Sequence, residues 1–258
     1  MATALAAGCV QSGLASAAQL LASDPSEAAR LQFAQSVPDA RLIDSNAALM
    51  AEAQIVVLAV KPQKMPEVLS EIRSSTQPGH LIVSIAAGVP LQKLAEGLPT
   101  GTRLVRVMPN TPCLIRQGAS CFSLSAEADS ADGQLVRQIL ESVGRVFEVN
   151  ESCLDAITGL SGSGPAFVYT MIEALAEGGI AMGLPAELAS ELAAQTARGA
   201  AEMVLKTDFT PAELRQHVSS PGGTTLAGLE ALNQHGGPAA FRAAVEAATR
   251  RSIELGRS

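Results

Sequence analysis

The residues best suited to chemistry stand in one short run, Val218-Ser219-Ser220-Pro221-Gly222-Gly223-Thr224-Thr225. Hydroxyls and glycines are mixed there between two helical patterns. Residues 211–216 read as a short helix, and residues 226–232 repeat apolar side chains at helical spacing. Glycine reaches backbone angles that other residues avoid, and Thr224 and Thr225 open the second helix. The first N–H groups of a helix have no partner inside it, so such a start suits a carboxylate or a phosphate. The same residues also describe a helix-loop-helix corner with a threonine cap, and the run alone leaves both readings open.

A second set of small and polar residues is spread along the first half: Ala22-Ser23, Val60-Lys61-Pro62, Ala86-Ala87-Gly88 and Met108-Pro109-Asn110. Each follows an apolar stretch with strand character. The stretches are residues 18–22, 41–43, 55–60, 80–86 and 103–108, with two more at 118–124 and 144–149. Helical patterns lie between them, at residues 1–11, 26–35, 45–52, 65–73, 91–96 and 130–142. The run Ile55-Val56-Val57-Leu58-Ala59-Val60 is apolar on both faces, as a central parallel strand must be when helices cover both sides. The alternation predicts an α/β fold with a doubly wound, Rossmann-type parallel sheet over residues 1–150. Ligands of such sheets bind outside the carboxyl ends of the strands, where the four short segments fall. Small residues, a hydroxyl, an amide and one lysine suit a phosphate-bearing dinucleotide. Ordinary loops contain the same residue types. A G-x-G-x-x-G turn after a first strand is absent.

From Glu151 the alternation gives way to helices. Ser161-Gly162-Ser163-Gly164-Pro165 interrupts a short one, and Pro165 suits the first turn of the long helix that follows. Long helical patterns cover residues 166–181 and 186–206, and a final one ends near Leu255. Residues 151–258 are expected to form an all-α domain. Its Ala-rich helices fit either exchange between two subunits or packing within one chain.

Composition narrows the class. The chain has 258 residues, 47% of them hydrophobic and 17% charged, which supports a sizeable core. Aromatic residues make up 3%, so that core must be built from aliphatic side chains. A net charge of −7 without a basic run excludes nucleic acid as the main partner. The four cysteines and three histidines are scattered, without metal-ligand spacing, and no metal is expected. No apolar run has the length of a membrane span. The uncharged start lacks the basic residues of a signal or transit peptide, so a cytoplasmic protein is expected.

Ser161-Gly162-Ser163-Gly164-Pro165-Ala166 and the run from Val218 to Thr225, continued by Gly228-Leu229-Glu230, resemble the pyrroline-5-carboxylate reductase family. Ala59-Val60-Lys61-Pro62, Ala86-Ala87-Gly88-Val89 and Met108-Pro109-Asn110-Thr111-Pro112 resemble that family's cofactor loops. The likeness spans essentially the whole chain and is nearest to the short eukaryotic form without a transit peptide. It implies reduction of the cyclic imine 1-pyrroline-5-carboxylate to L-proline, the last step of proline biosynthesis, with NADPH or NADH. It implies a dinucleotide-binding domain, a helical domain forming a homodimer, and in some members a ring of five dimers.

By the same resemblance, backbone N–H groups around Gly222, Gly223, Thr224 and Thr225 take the substrate carboxylate. Ser220 is a further hydrogen-bonding group or simply a turn residue. The Thr225 hydroxyl lies near the imine nitrogen as the catalytic orienting group. Ser23 and Asn46 fall near the adenosine ribose, where a hydroxyl in place of an acid tolerates the 2′-phosphate of NADPH. Asp24 would repel that phosphate if turned inward. Ala59, Val60, Lys61, Pro62, Ala86, Ala87, Gly88 and Asn110 complete the expected cofactor contacts, and Glu151 reads as a ligand contact or a helix-start carboxylate. The family places a first strand and a G-x-G-x-M-A turn ahead of the residues that Met1-Ala2 match. The chain as written is therefore expected to hold NADPH weakly. The alternative function is a catalytically weakened form that assembles with full-length subunits.

Overall fold

The computed structural model describes residues 1–257, in two compact units. One is Met1–Ser163 with the segment from Ala247 onward; the other is Gly164–Glu246. The division at residue 150 expected from the end of the alternation falls inside the first unit.

The first unit runs α1 (Ala2–Gln11), β1 (Leu21–Ala22), α2 (Glu27–Ser36), β2 (Arg41–Leu42), α3 (Asn46–Glu52), β3 (Ile55–Leu58), α4 (Met65–Ile72), β4 (Leu81–Ser84), α5 (Leu91–Gly97), β5 (Arg103–Met108), β6 (Gly118–Leu124), α6 (Ser130–Glu141), β7 (Gly144–Glu148) and α7 (Leu154–Ile157). Helix starts follow side-chain chemistry. Ser26 Oγ accepts from Ala29 N, Ser45 Oγ from Ala48 N, and Asp129 Oδ1 from the amides of Ala131 and Asp132. The strand expected at residues 18–22 shrinks to Leu21–Ala22. Ser16 and Gln19 form a capping box that winds Ala17–Gln19 into a 3₁₀ turn instead.

Five strands form one sheet in the order β3-β4-β5-β6-β7, and β1 pairs with β2 in a second, parallel one. Among the described residues no ladder joins the two sheets. The larger sheet is parallel except at β5–β6, which is antiparallel. The expected Rossmann-type parallel sheet thus carries one antiparallel pair. A parallel return needs a crossover of a dozen or more residues. Only residues 109–117 separate β5 from β6, and Thr111–Ile115 is a 3₁₀ turn ended by Arg116 at φ 59°.

Side chains alternate across the sheet and build a core on each face. Ile82 of β4 and Leu104 of β5 pack with Met50, Met65, Leu69, Ile72 and Leu94 of α3, α4 and α5. Their neighbours Leu81, Val83, Val105 and Val107 pack on the other face with Ala4 and Leu5 of α1 and Val136 and Leu140 of α6. By contrast, β1, β2 and α2 contain no fully buried residue.

The second unit holds α8 (Gly164–Ala181), α9 (Ala186–Lys206), α10 (Pro211–His217), α11 (Thr224–Gln234) and the first part of α12 (Gly237–Arg257). Helices α8 and α9 meet through small residues: Ala176, Ala189 and Ala193 are buried, with Ile172 against them. At Gly179 an added Cβ would stand 3.4 Å from Ala189 Cβ. Tyr169, Leu175, Leu188, Leu192, Met203 and Leu205 of the same helices are exposed.

Candidate active site

Two sets of candidate residues are held on different units. The helical unit carries the hydroxyl-glycine run. Thr210 and Glu213 form a capping box ahead of it: Thr210 N and Oγ1 both donate to Glu213 Oε2 at 2.7 Å, and Glu213 N donates back to Thr210 Oγ1. Donation from the Thr210 amide holds the Glu213 carboxyl below its usual range. The ring of Phe209 meets that of His217 edge-on at 4.8 Å, closing α10 on its own entry.

The chain then turns sharply. Ser219 Oγ donates to Arg215 O at 2.7 Å, and Gly223 N donates to Ser220 O at 3.0 Å. Pro221 and Gly222 occupy the middle of that turn, with Gly222 at φ 70°, the pattern of a type II turn. The second glycine has another cause: a Cβ on Gly223 would run into Ser220 Oγ. Gly223 is the N-cap of α11, and no side chain caps the helix. The expected threonine cap is therefore replaced by a bare glycine one. Because the Gly223 N–H is spent on Ser220 O, the open donors are those of the helix start itself, at Thr224 and Thr225. Thr225 is half-buried, while Ser220, Gly222 and Thr224 are exposed.

In the other unit, register aligns the strand ends. Leu58 of β3 stands beside Ser84 of β4, and Ser84 beside Arg106 of β5. The segments that follow, with Ala59, Val60, Lys61 and Pro62, then Ala86, Ala87 and Gly88, then Asn110, leave the sheet at one end. Lys61 is exposed. Ser84 is fully buried, and its Oγ accepts from Ala86 N at 3.4 Å, turning the chain into the loop. Asn110 is committed at both ends of its amide: Nδ2 donates to Ser161 O at 3.1 Å, and Oδ1 accepts from Ala119 N at 2.9 Å. Its side chain thus ties β5 to the Ser161-Gly162 segment and keeps a second Nδ2 hydrogen that can still donate. Gly162 leaves room for Met108, whose Cε lies where a Cβ would go.

On the small sheet, β1 and β2 are in parallel register, Ala22 beside Leu42, so Ser23 and the approach to Asn46 emerge together. Asn46 Nδ2 donates to Glu71 Oε2 at 2.6 Å. Asp24 is exposed. Its Oδ1 accepts from Ser26 N at 2.8 Å at the start of α2, and its carbonyl accepts from Arg30 Nη1 at 2.7 Å. The Arg30 guanidinium is thus held at the end of β1, a cation of the kind that accommodates the 2′-phosphate of NADPH.

A buried ionic cluster lies close by, and the sequence reading did not find it. Arg106 is 5% exposed. It donates to Glu151 Oε1 at 3.2 Å and to Asp155 Oδ1 at 3.0 Å. Glu151 Oε1 also accepts from Leu91 N at 2.7 Å, so this carboxylate anchors the start of α5 instead of facing a ligand. An arginine between Val105 and Val107 was the available signal, since a charge in a central strand must be paired. Among the described residues no group of His, Cys, Asp and Glu could hold a metal ion, and no helix is long and apolar enough to cross a membrane.

A sheet with helices on both faces, small-residue loops at its carboxyl end and an attached helical unit define a nicotinamide-dependent oxidoreductase. Residues 1–88 match the family described as NADP oxidoreductase, coenzyme F420-dependent, and residues 151–255 match pyrroline-5-carboxylate reductase dimerisation. Pyrroline-5-carboxylate reductase 3 of Rattus norvegicus is 44% identical over 255 residues, 99% of this chain and 92% of that protein. Pyrroline-5-carboxylate reductase of Methanosarcina acetivorans is 42% identical, over 100% of this chain and 95% of its own. The crystal structure of Plasmodium falciparum pyrroline carboxylate reductase with NADP bound superposes with a TM-score of 0.89 at 34% identity, covering 98% of this chain and 93% of that one. The chain belongs to the pyrroline-5-carboxylate reductase family.

Proposed function

We propose that this chain reduces 1-pyrroline-5-carboxylate to L-proline with NADPH, as the last step of proline biosynthesis. The observation that carries the substrate side is the uncapped start of α11 behind a type II turn. The N–H groups of Thr224 and Thr225 take the substrate carboxylate, aided by the positive end of the helix. The Thr225 hydroxyl orients the imine nitrogen. At its ordinary pKa it is a poor acid, so it positions the group and the proton arrives from solvent. NADPH, when bound, supplies the hydride that reaches the imine carbon as the nitrogen takes up that proton, turning C=N into C–N. Ser23 and Asn46 hold the adenosine ribose, with the Arg30 guanidinium near the 2′-phosphate. Lys61 and Pro62 border the ribose and phosphate oxygens, and the Ala86–Gly88 loop lies against the nicotinamide half. Asn110 shapes that end of β5 and offers its second amide hydrogen to the cofactor.

The test is imine-dependent loss of NADPH absorbance. Thr225→Ala should lower kcat by about a hundredfold, the scale of losing one orienting or electrostatic group in a transition state, without shifting the thermal midpoint. Unchanged turnover would remove Thr225 from the site. The chain works as a homodimer through its helical unit, in the cytoplasm, and five such dimers can close a ring. Sedimentation at several concentrations tests the assembly.

A second reading, a weakened subunit serving more active partner subunits, draws on the absence of a fully buried residue in β1, β2 and α2. It expects weak NADPH binding by the chain alone and gain of activity on mixing with an active relative. Micromolar NADPH affinity in the isolated chain would sink it.

A further inference from the structure

We infer that the last turns of α12, Ser252 to Gly256, are a positioning element for the Ala86–Gly88 loop and so set how tightly the nicotinamide half of the cofactor is held. The inference rests on the proposed placement of the nicotinamide against this loop.

The loop is gripped from both sides. At its far end, Leu91 N donates to Glu151 Oε1 at 2.7 Å, and Arg106 joins that carboxylate to Asp155. Asp155 Oδ1 also accepts from Ser252 Oγ at 2.8 Å. One hydrogen-bonded chain thus runs from α12 through Asp155, Arg106 and Glu151 to the residue that closes the loop. In the middle of the loop the contact is direct. Gly88 has φ 74°, and a Cβ there would stand 3.2 Å from Ser252 O and 3.1 Å from Leu255 Cβ. A Cβ on Gly256 would stand 2.9 Å from Gly88 O. Each glycine lets the other backbone approach, so the loop's conformation depends on the helix end and the helix end on the loop.

Among the described residues, none from Ala247 onward belongs to either buried apolar cluster of the sheet. The contacts of this helix end with the loop include a buried hydroxyl, 3% exposed in Ser252, and two glycine backbones. Such contacts add little apolar burial, but they fix direction and distance, which is what a loop under a planar ring requires.

The experiment compares Ser252→Ala, Gly256→Val and Ala87→Val with the parent chain. It reads direct NADPH binding by fluorescence, the KM for each substrate, kcat and the thermal midpoint. Ser252→Ala removes a hydrogen bond to a charged group. It should weaken NADPH binding by about tenfold, with the KM for the imine within about twofold and the midpoint lowered by a few degrees at most. Gly256→Val should do at least as much; if it fails to fold, Ser252→Ala still decides. Ala87→Val tests the underlying placement. If Ala87→Val weakens NADPH binding while the folded α12 variants bind like the parent, the inference falls and the placement stands. If Ala87→Val also binds like the parent, the placement falls and the inference with it. If Ser252→Ala worsens both substrates equally in step with a lower midpoint, the helix end is structural only and the inference is wrong.

Discussion

Arg106 shows how a single residue can organise a region that no local pattern describes. Its guanidinium is buried in the middle of β5, while Glu151 and Asp155 keep 33% and 28% of their side-chain surface exposed. Removing one member of a buried pair strands the others and costs roughly 3–5 kcal/mol. Solvent reaches both carboxylates here, so the lower part of that range is the better guide. Arg106→Met should lower unfolding free energy by about 3 kcal/mol, read as an earlier urea midpoint at constant slope. Adding Asp155→Leu and Glu151→Gln should recover part of the loss, because an apolar replacement of the whole cluster leaves fewer stranded charges. The residue was legible as an anomaly, one charge in the pattern Arg103-Leu104-Val105-Arg106-Val107-Met108. Its partners were not, since they lie 45 and 49 residues further along the chain. Asn110 illustrates a double use. Its place at the end of β5 suggested a ligand contact, and the side chain also bonds Ser161 and Ala119, which no local pattern reveals.

Elements were legible where local chemistry decides them. The spans Arg103–Met108, Gly118–Leu124 and Ala186–Lys206 could be read directly, because apolar periodicity and flanking glycines or prolines agree there. The direction of β6 could not be read from its own residues, since it depends on the length of the connection before it. The turn before α11 lies between these cases. Pro221-Gly222 announces a type II turn, but the sequence does not reveal that Gly223 N–H is used up inside it. Gly222 has no heavy atom within 4 Å of a built Cβ, so only its φ of 70° opposes a side chain. Gly222→Ala should therefore cost about 1–2 kcal/mol, the penalty of the left-handed region, confined to the turn. The expected readout is a raised KM for the imine with NADPH binding unchanged. Gly222→Asn, which tolerates that region, should recover most of the loss. Equal effects from Ala and Asn would mean that backbone angle is not what the position supplies.

At the scale of the whole molecule, the helical unit buries little apolar surface of its own. Among the described residues its buried cluster is three alanines, Ala176, Ala189 and Ala193, with Ile172 against them. Leu188, Leu192, Met203 and Leu205 lie on the same helix, α9, and each is 44% to 60% exposed. An apolar surface of that kind marks an interface, and a second copy of the same helices is the partner that the dimerisation match to residues 151–255 brings to it. In a two-fold interface each residue counts twice. Leu192, 49% exposed in the single chain, then separates folding from assembly. A substitution at an exposed position shifts monomer stability by no more than about 0.5 kcal/mol. Burying one leucine is worth roughly 1.5–3 kcal/mol, so the symmetric pair contributes about twice that to association. Leu192→Glu also forces a carboxylate into each half of the apolar seam. The dimer constant should weaken by at least a hundredfold, visible as monomer in sedimentation at concentrations where the parent is dimeric. The α/β unit should keep its helices and its NADPH affinity, because none of its elements contains the substituted residue. Loss of the dimer with NADPH binding intact would place assembly in the helical unit alone. An unchanged sedimentation profile would show that α9 faces solvent through Leu192 and that the seam lies on another helix.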